Sequence, residues 1–206
     1  MDILQAIEIF AFVTGLLYIV LEIGQKNAMW VIGILTGVAC AWSFAVQSLW
    51  ASMGLNIYYV GMSVWGLWQW RRDSRILAES AGASPQEKAG IGDKADIHLR
   101  RPSRKELVVS AVLAVFGSLA LIAVLHLLGD RESAMDAVVA VLSAIATWWL
   151  AKSYPYQWLI WLVADLLSAI LCLTVGIYWM ALLYLAYTAS AAYGWFHWTR
   201  HGIYID

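Results

Sequence analysis

The chain has 206 residues, is 62% hydrophobic and 13% charged, and has a mean hydropathy of +0.70. Soluble domains are roughly 45–50% apolar and 25% charged, so there are too few polar side chains here to cover a water-facing surface, and a soluble fold is excluded. A formal net charge of −1 gives no electrostatic reason to expect nucleic acid or an acidic partner.

Crossing a hydrocarbon core of roughly 30 Å takes about 20 apolar residues in a helix. Seven stretches supply that length, at 5–23, 28–50, 52–71, 105–128, 133–152, 156–177 and 178–199. The first is expected to be a span and not a cleavable signal, because Asp2 and Glu8 are acidic where a signal peptide is basic. Between the third and fourth spans, residues 73–104 are rich in Ser, Gly, Asp, Lys and Arg and include Pro85 and Pro102. That composition predicts a polar, flexible linker. Nine of the 13 basic residues lie between Arg71 and Lys105, which puts the linker on the cytoplasmic side. With seven spans, Lys26, Lys152 and Arg200 fall on that side too, and only Arg131 falls outside. The expected topology is N-terminus out and C-terminus in.

Shifted by 128 positions, the chain matches itself: Trp30 meets Trp158, Leu55 meets Leu183, Tyr59 meets Tyr187, Gly66 meets Gly194, Trp70 meets Trp198 and Arg72 meets Arg200. Glu8 also meets Asp136. Spans 1–3 thus repeat as spans 5–7. Three is odd, so span 4 is needed to make the two units run parallel. The expected fold is an all-α membrane protein of seven transmembrane helices in a 3+1+3 arrangement. Its units are residues 1–72, the linker 73–104, a connecting helix 105–128, and residues 129–206. Parallel repeats about an axis along the membrane normal are a transporter plan, with the substrate near the midplane.

Span 6 carries the sharpest local pattern. Trp158, Trp161 and Asp165 share one helical face, and Asp165 lies about ten residues into the span. A carboxylate at that depth costs about 2.5–3.5 kcal/mol or more, so such residues usually face a cavity or a partner. No Lys or Arg lies deep in any span to pair with it, while aromatic faces beside it would attract a cation. Asn56, Tyr59, Tyr184 and Tyr187 are deep enough in spans 3 and 7 to bond or stack on a ligand. Gln47, late in span 2, is a further polar candidate. Glu8, Glu22 and Asp136, near span ends, are expected to serve structure. So are Trp70 and Trp198, which with Arg72 and Arg200 suggest a cytoplasmic interface belt. Cys40 and Cys172 sit in apolar runs and suit packing, not a disulfide or a metal. No Walker loop, His-Glu-x-x-His or Ser-His-Asp set occurs, so no enzyme, cofactor or metal site is expected.

Four segments together resemble the PnuC family of bacterial nicotinamide riboside transporters. They are Trp65-Gly66-Leu67-Trp68-Gln69-Trp70, the stretch from Asp136 to Leu142-Ser143, the Trp158-x-x-Trp161-x-x-x-Asp165 pattern, and Tyr193-Gly194-x-x-x-Trp198. The resemblance covers the chain outside the linker. It implies a relative of the SWEET sugar transporters, built 3+1+3, in the bacterial inner membrane. It further implies facilitated diffusion, a cytosolic kinase that traps the vitamin as its phosphate, and a homotrimer in lipid. Trp158 and Trp161 would then stack on the pyridinium, Asp165 would complement its charge or accept a ribose hydroxyl, and Asn56, Gln47, Tyr59 and Tyr187 would address amide or sugar. The family pattern continues to a Tyr seven residues past the carboxylate, where this chain has Cys172. Thiamine or riboflavin, carried within the same superfamily, therefore stay open as substrates.

Overall fold

The computed structural model describes residues 15–46, 50–80, 97–127, 134–176 and 178–205. Among these are seven helices: α1 over residues 15–23, α2 over Ala28–Val46, α3 over Trp50–Ser80, α4 over Arg104–Leu127, α5 over Ala134–Ala151, α6 over Gln157–Val175 and α7 over Tyr178–His201. Each falls on one of the seven expected spans. Two short strands, β1 (His98–Leu99) and β2 (Ile203–Tyr204), pair in parallel, with His98 opposite Ile203 and Leu99 opposite Tyr204. The chain forms two compact units. One holds residues 1–99 with 151–153 and 201–205, and the other holds residues 100–150 and 154–200.

The burial pattern is inverted relative to a water-soluble bundle. Val108, Phe116, Leu119, Leu159, Val163, Leu166, Leu182 and Leu185 are exposed, whereas Ala137, Ala146, Ala164, Ala169, Ala181 and Ala191 are buried together with Ser63, Thr147, Asp165 and Ser168. In lipid an exposed Leu costs nothing, and helices associate through small side chains that let backbones approach. Hydroxyls must then be satisfied inside the helix. Ser118 donates to the Ala114 carbonyl (2.6 Å), Thr147 to Ser143 (2.8 Å), Ser168 to Ala164 (2.9 Å), Thr188 to Tyr184 (2.8 Å) and Ser190 to Ala186 (2.9 Å). Among the described residues, α4, α5 and the Gln157–Thr174 part of α6 are long and apolar enough to cross a membrane by length and composition alone. Helices α3 and α7 are richer in Trp and Tyr, whose polar handles lower hydropathy but suit a bilayer interface.

In the first unit, Trp30 of α2 and Trp70 of α3 meet edge-on at 5.0 Å and 75°, and a Cβ placed on Gly66 would come within 2.6 Å of the Trp30 ring. In the second unit, Trp158 and Trp198 meet edge-on at 5.4 Å and 89°, and a Cβ on Gly194 would come within 2.6 Å of the Trp158 ring. The helix ends agree as well. Gln25 (φ 48°) and Ser153 (φ 59°) both adopt the left-handed conformation, and each is followed by an N–H that reaches back five residues. These bonds run from Lys26 to the Leu21 carbonyl (2.8 Å) and from Tyr154 to the Trp149 carbonyl (3.0 Å). This is the helix stop in which a left-handed residue lets the chain satisfy orphan carbonyls.

Trp70 and Trp198 are fully buried, which corrects their reading as an interface belt: each ring is a packing partner, and its Arg neighbour two residues on carries the exposure. The linker is also narrower than its composition suggests. Helix α3 continues to Ser80, helped by Gln69, whose amide donates to both Asp73 carboxylate oxygens one turn on, at 3.1 and 3.2 Å. At the other end, the Gln25 side chain brackets the His98 backbone. Its Oε1 accepts from the His98 N–H (2.8 Å), and its Nε2 donates to the His98 carbonyl (3.0 Å) and to the Ser153 hydroxyl (3.3 Å). Helix α4 then starts from a capping box, with the Ser103 N–H donating to Glu106 (2.8 Å) and the Glu106 N–H donating to the Ser103 hydroxyl (3.3 Å). The Tyr154 hydroxyl donates to the same Glu106 carboxylate (2.8 Å), and the Trp149 indole N–H donates to Ser110 (2.8 Å), which ties α4 to α5.

Candidate substrate site

Helix α6 presents two unlike faces. Leu159, Val163, Leu166, Ile170 and Leu173 are exposed along one side. The other carries Gln157, Trp161, Asp165 and Ser168, at spacings of four, four and three residues, which superpose on a helical period of 3.6. Asp165 is 8% exposed, at mid-span. Helix α7 brings Tyr184 and Tyr187, whose rings meet edge-on at 6.1 Å and 89°. Both tyrosines lie within electrostatic reach of the Asp165 carboxyl, and Tyr184 also of Asp136 on α5 and Cys172 on α6. The second unit thus gathers Asp165, Tyr184 and Tyr187 from the expected set, with Trp161 one turn along the same stripe.

Asn56 and Tyr59 belong to the first unit, on α3, at the positions equivalent to Tyr184 and Tyr187. The Tyr58 and Tyr59 rings are 5.6 Å apart, and Tyr59 and Glu22 are both within electrostatic reach of Tyr18. Gln47 lies outside the described residues. Trp158, expected as a stacking platform, lies in a packing contact. It is 2% exposed, with its ring against Gly194 and Trp198, as its counterpart Trp30 is against Gly66 and Trp70. Spacing could not tell a platform from a strut, because both lie on the buried side.

Gln157 was not singled out from sequence, since a Gln in the first turn of a span reads as an interfacial residue. In the structure it is 0% exposed. The only signal in the sequence was its place one turn before Trp161. Among the described residues no group of three or more His, Cys, Asp or Glu could hold a metal ion.

A lipid-suited exterior around an internal stripe of aromatic rings and one deep carboxylate defines a multi-pass membrane transport protein. Comparison with known proteins gives the family. The profile described as the nicotinamide mononucleotide transporter family matches residues 5–200, and the chain belongs to this family. The nicotinamide riboside transporter PnuC of Neisseria mucosa is 24% identical over 200 residues, covering 92% of this chain and 70% of that protein. The nicotinamide riboside transporter PnuC of Haemophilus influenzae is 29% identical over 90 residues, 43% of this chain and 38% of that protein. A crystal structure of the vitamin B3 transporter PnuC shares the fold, with a TM-score of 0.64 at 24% identity over 92% of this chain and 79% of that one. The chain is accordingly a transporter and not an enzyme.

Proposed function

We propose that this chain carries nicotinamide riboside across the bacterial inner membrane by facilitated diffusion. The observation that carries this reading is the stripe of Trp161 and Asp165 on α6, with the Asp165 carboxyl within electrostatic reach of the tyrosine pair of α7. Trp161 offers a ring face for stacking and cation–π contact with a pyridinium, and Asp165 balances the charge or accepts a ribose hydroxyl. Tyr184 and Tyr187 supply hydroxyls for the sugar. Of the substrates named for the family and its relatives, the riboside fits better than the mononucleotide. A phosphate would need a cation, and no Lys or Arg occurs within 27–70, 106–130 or 153–199.

The mechanism in this reading is alternating access, by rocking of two parallel three-helix units joined through α4. The shared packing of Trp30–Gly66–Trp70 and Trp158–Gly194–Trp198 supports such a repeat. The termini face outward at residue 1 and inward at residue 206, the protein assembles as a homotrimer, and a cytosolic kinase makes uptake one-way by phosphorylating the vitamin. Cys172 in the place of the family Tyr keeps thiamine, also an aromatic cation, as the competing substrate.

Uptake into proteoliposomes tests the reading. Labelled nicotinamide riboside should equilibrate across the membrane, equally with and without a pH gradient, and unlabelled thiamine should compete weakly. Accumulation above equilibrium would sink facilitated diffusion, and stronger competition by thiamine would reassign the substrate.

A further inference from the structure

Three side chains in the first two turns of α6 contain buried polar atoms with no hydrogen-bond partner among the described residues. They are Gln157, through both Nε2 and Oε1, and the indole nitrogens of Trp158 and Trp161. The repeat separates them. Trp30, the counterpart of Trp158, has the same unpartnered indole nitrogen in the same packing, so that feature belongs to the shared scaffold. The counterparts of Gln157 and Trp161 are Met29 and Gly33, which have no side-chain polar atom at all. A buried amide lacking both its bonds is costly, and among the described residues Gln157, in the unit that holds the deep carboxylate, is the amide with neither atom partnered.

We propose that Gln157 is the specificity-determining residue of this site, and that it reads a primary carboxamide on the aromatic cation. This rests on the transport reading above and adds the group that selects the vitamin. An unpartnered Gln offers an acceptor oxygen and donor hydrogens side by side. A primary carboxamide presents the complementary pair and forms two parallel bonds with it. A carboxylate can only accept, so it would leave the Gln157 oxygen facing negative charge. The spacing fits. Gln157, Trp161 and Asp165 follow each other one turn apart and span about 12 Å of helix. A pyridinium ring stacked on Trp161, in the middle, directs its carboxamide toward Gln157 and its glycosidic nitrogen and ribose toward Asp165.

Equilibrium binding to the purified full-length protein provides the test, with three probes: nicotinamide riboside, nicotinic acid riboside, and a pyridinium riboside lacking the carboxamide. The wild type should bind the first roughly 10- to 100-fold more tightly than either of the others, the range for a site whose buried polar groups lose their partner. Gln157→Met places at this position the residue that is fully buried at the equivalent one. It should bind nicotinamide riboside and the pyridinium riboside equally, at the affinity of the wild type for the latter. Retention of the wild-type preference in Gln157→Met overturns the assignment. Should that variant fail to fold, Gln157→Asn keeps the chemistry but shortens the reach. It should weaken only the carboxamide ligand, and an unchanged preference there overturns the assignment equally. A wild type that binds none of the three probes would instead defeat the transport reading, leaving a different signature from a wild type that binds all three alike, which defeats the role of Gln157 alone.

Discussion

Positions 128 apart in this chain, the separation of Gln25 and Ser153, have been used in two ways. Trp30 and Trp158 lie under Gly66 and Gly194 and meet Trp70 and Trp198 edge-on, so one packing device serves both units. One and two turns further along the same helices the units part. The first has Gly33 and Gly37, where a Cβ would come 2.8 Å from the Ser63 hydroxyl and 2.7 Å from Val60. The second has Trp161 and Asp165 at those positions. Glycine closes α2 onto α3 and leaves no room for a ligand, whereas the same positions in α6 hold the ring and the charge a ligand would need. A repeated fold can thus keep its helix contacts and change its chemistry, because the two depend on different turns of the same helix.

The largest expected effect tests the specialised half. Asp165→Asn removes the charge and keeps the shape, and it should weaken nicotinamide riboside binding by about 100-fold, in line with losing a desolvated charge contact worth roughly 2–3 kcal/mol. Isothermal titration would show this, and wild-type affinity would mean that the carboxylate does not face the ligand. Trp161→Ala should follow, with about 10- to 50-fold weaker binding from lost stacking and cation–π contact. Because Trp158 packs under Gly194 and against Trp198, Trp158→Ala should instead lower the thermal midpoint. If Trp158→Ala folds stably and binds poorly, the division between platform and strut is wrong.

The shared half is tested next. Gly66→Ala and Gly194→Ala each force a methyl group into an indole ring, and each should cost about 1–3 kcal/mol of stability. Similar shifts in the thermal midpoint are expected for both, and a large difference between them would break the equivalence of the units. A smaller effect is expected at the Gln25 bracket. Gln25→Ala leaves the His98 N–H and carbonyl without that partner and should cost about 1 kcal/mol, the net worth of a typical intramolecular hydrogen bond. The loss should concentrate locally, as faster amide hydrogen exchange at His98 with the thermal midpoint moving least of the set.

Much of this was legible in the residues. Seven helices match seven apolar stretches because helix length in a bilayer is set by bilayer thickness, a one-dimensional property. The equivalence of Gly66 with Gly194 and Trp30 with Trp158 could be found by sliding the chain on itself. Asp165 stood out because a carboxylate inside an apolar run is expensive wherever it faces. Trp158 and Gln157 were not legible in this way. One is packed under a glycine 36 positions later, and the other is buried at a helix start that composition marks as interfacial.

The sequence by itself determined that the chain spans a membrane, how many helices it uses, that positions 128 apart match, and where its lone deep carboxylate lies. These follow from hydropathy, charge and self-similarity, which act along the chain. Only the tertiary structure decided that Trp158 packs under Gly194 while Trp161 is free of that packing, that Gln157 is buried, and that both ends of the polar linker are ordered. Those depend on which helix a side chain meets, and a helical face is filled by neighbours that lie far away in the chain.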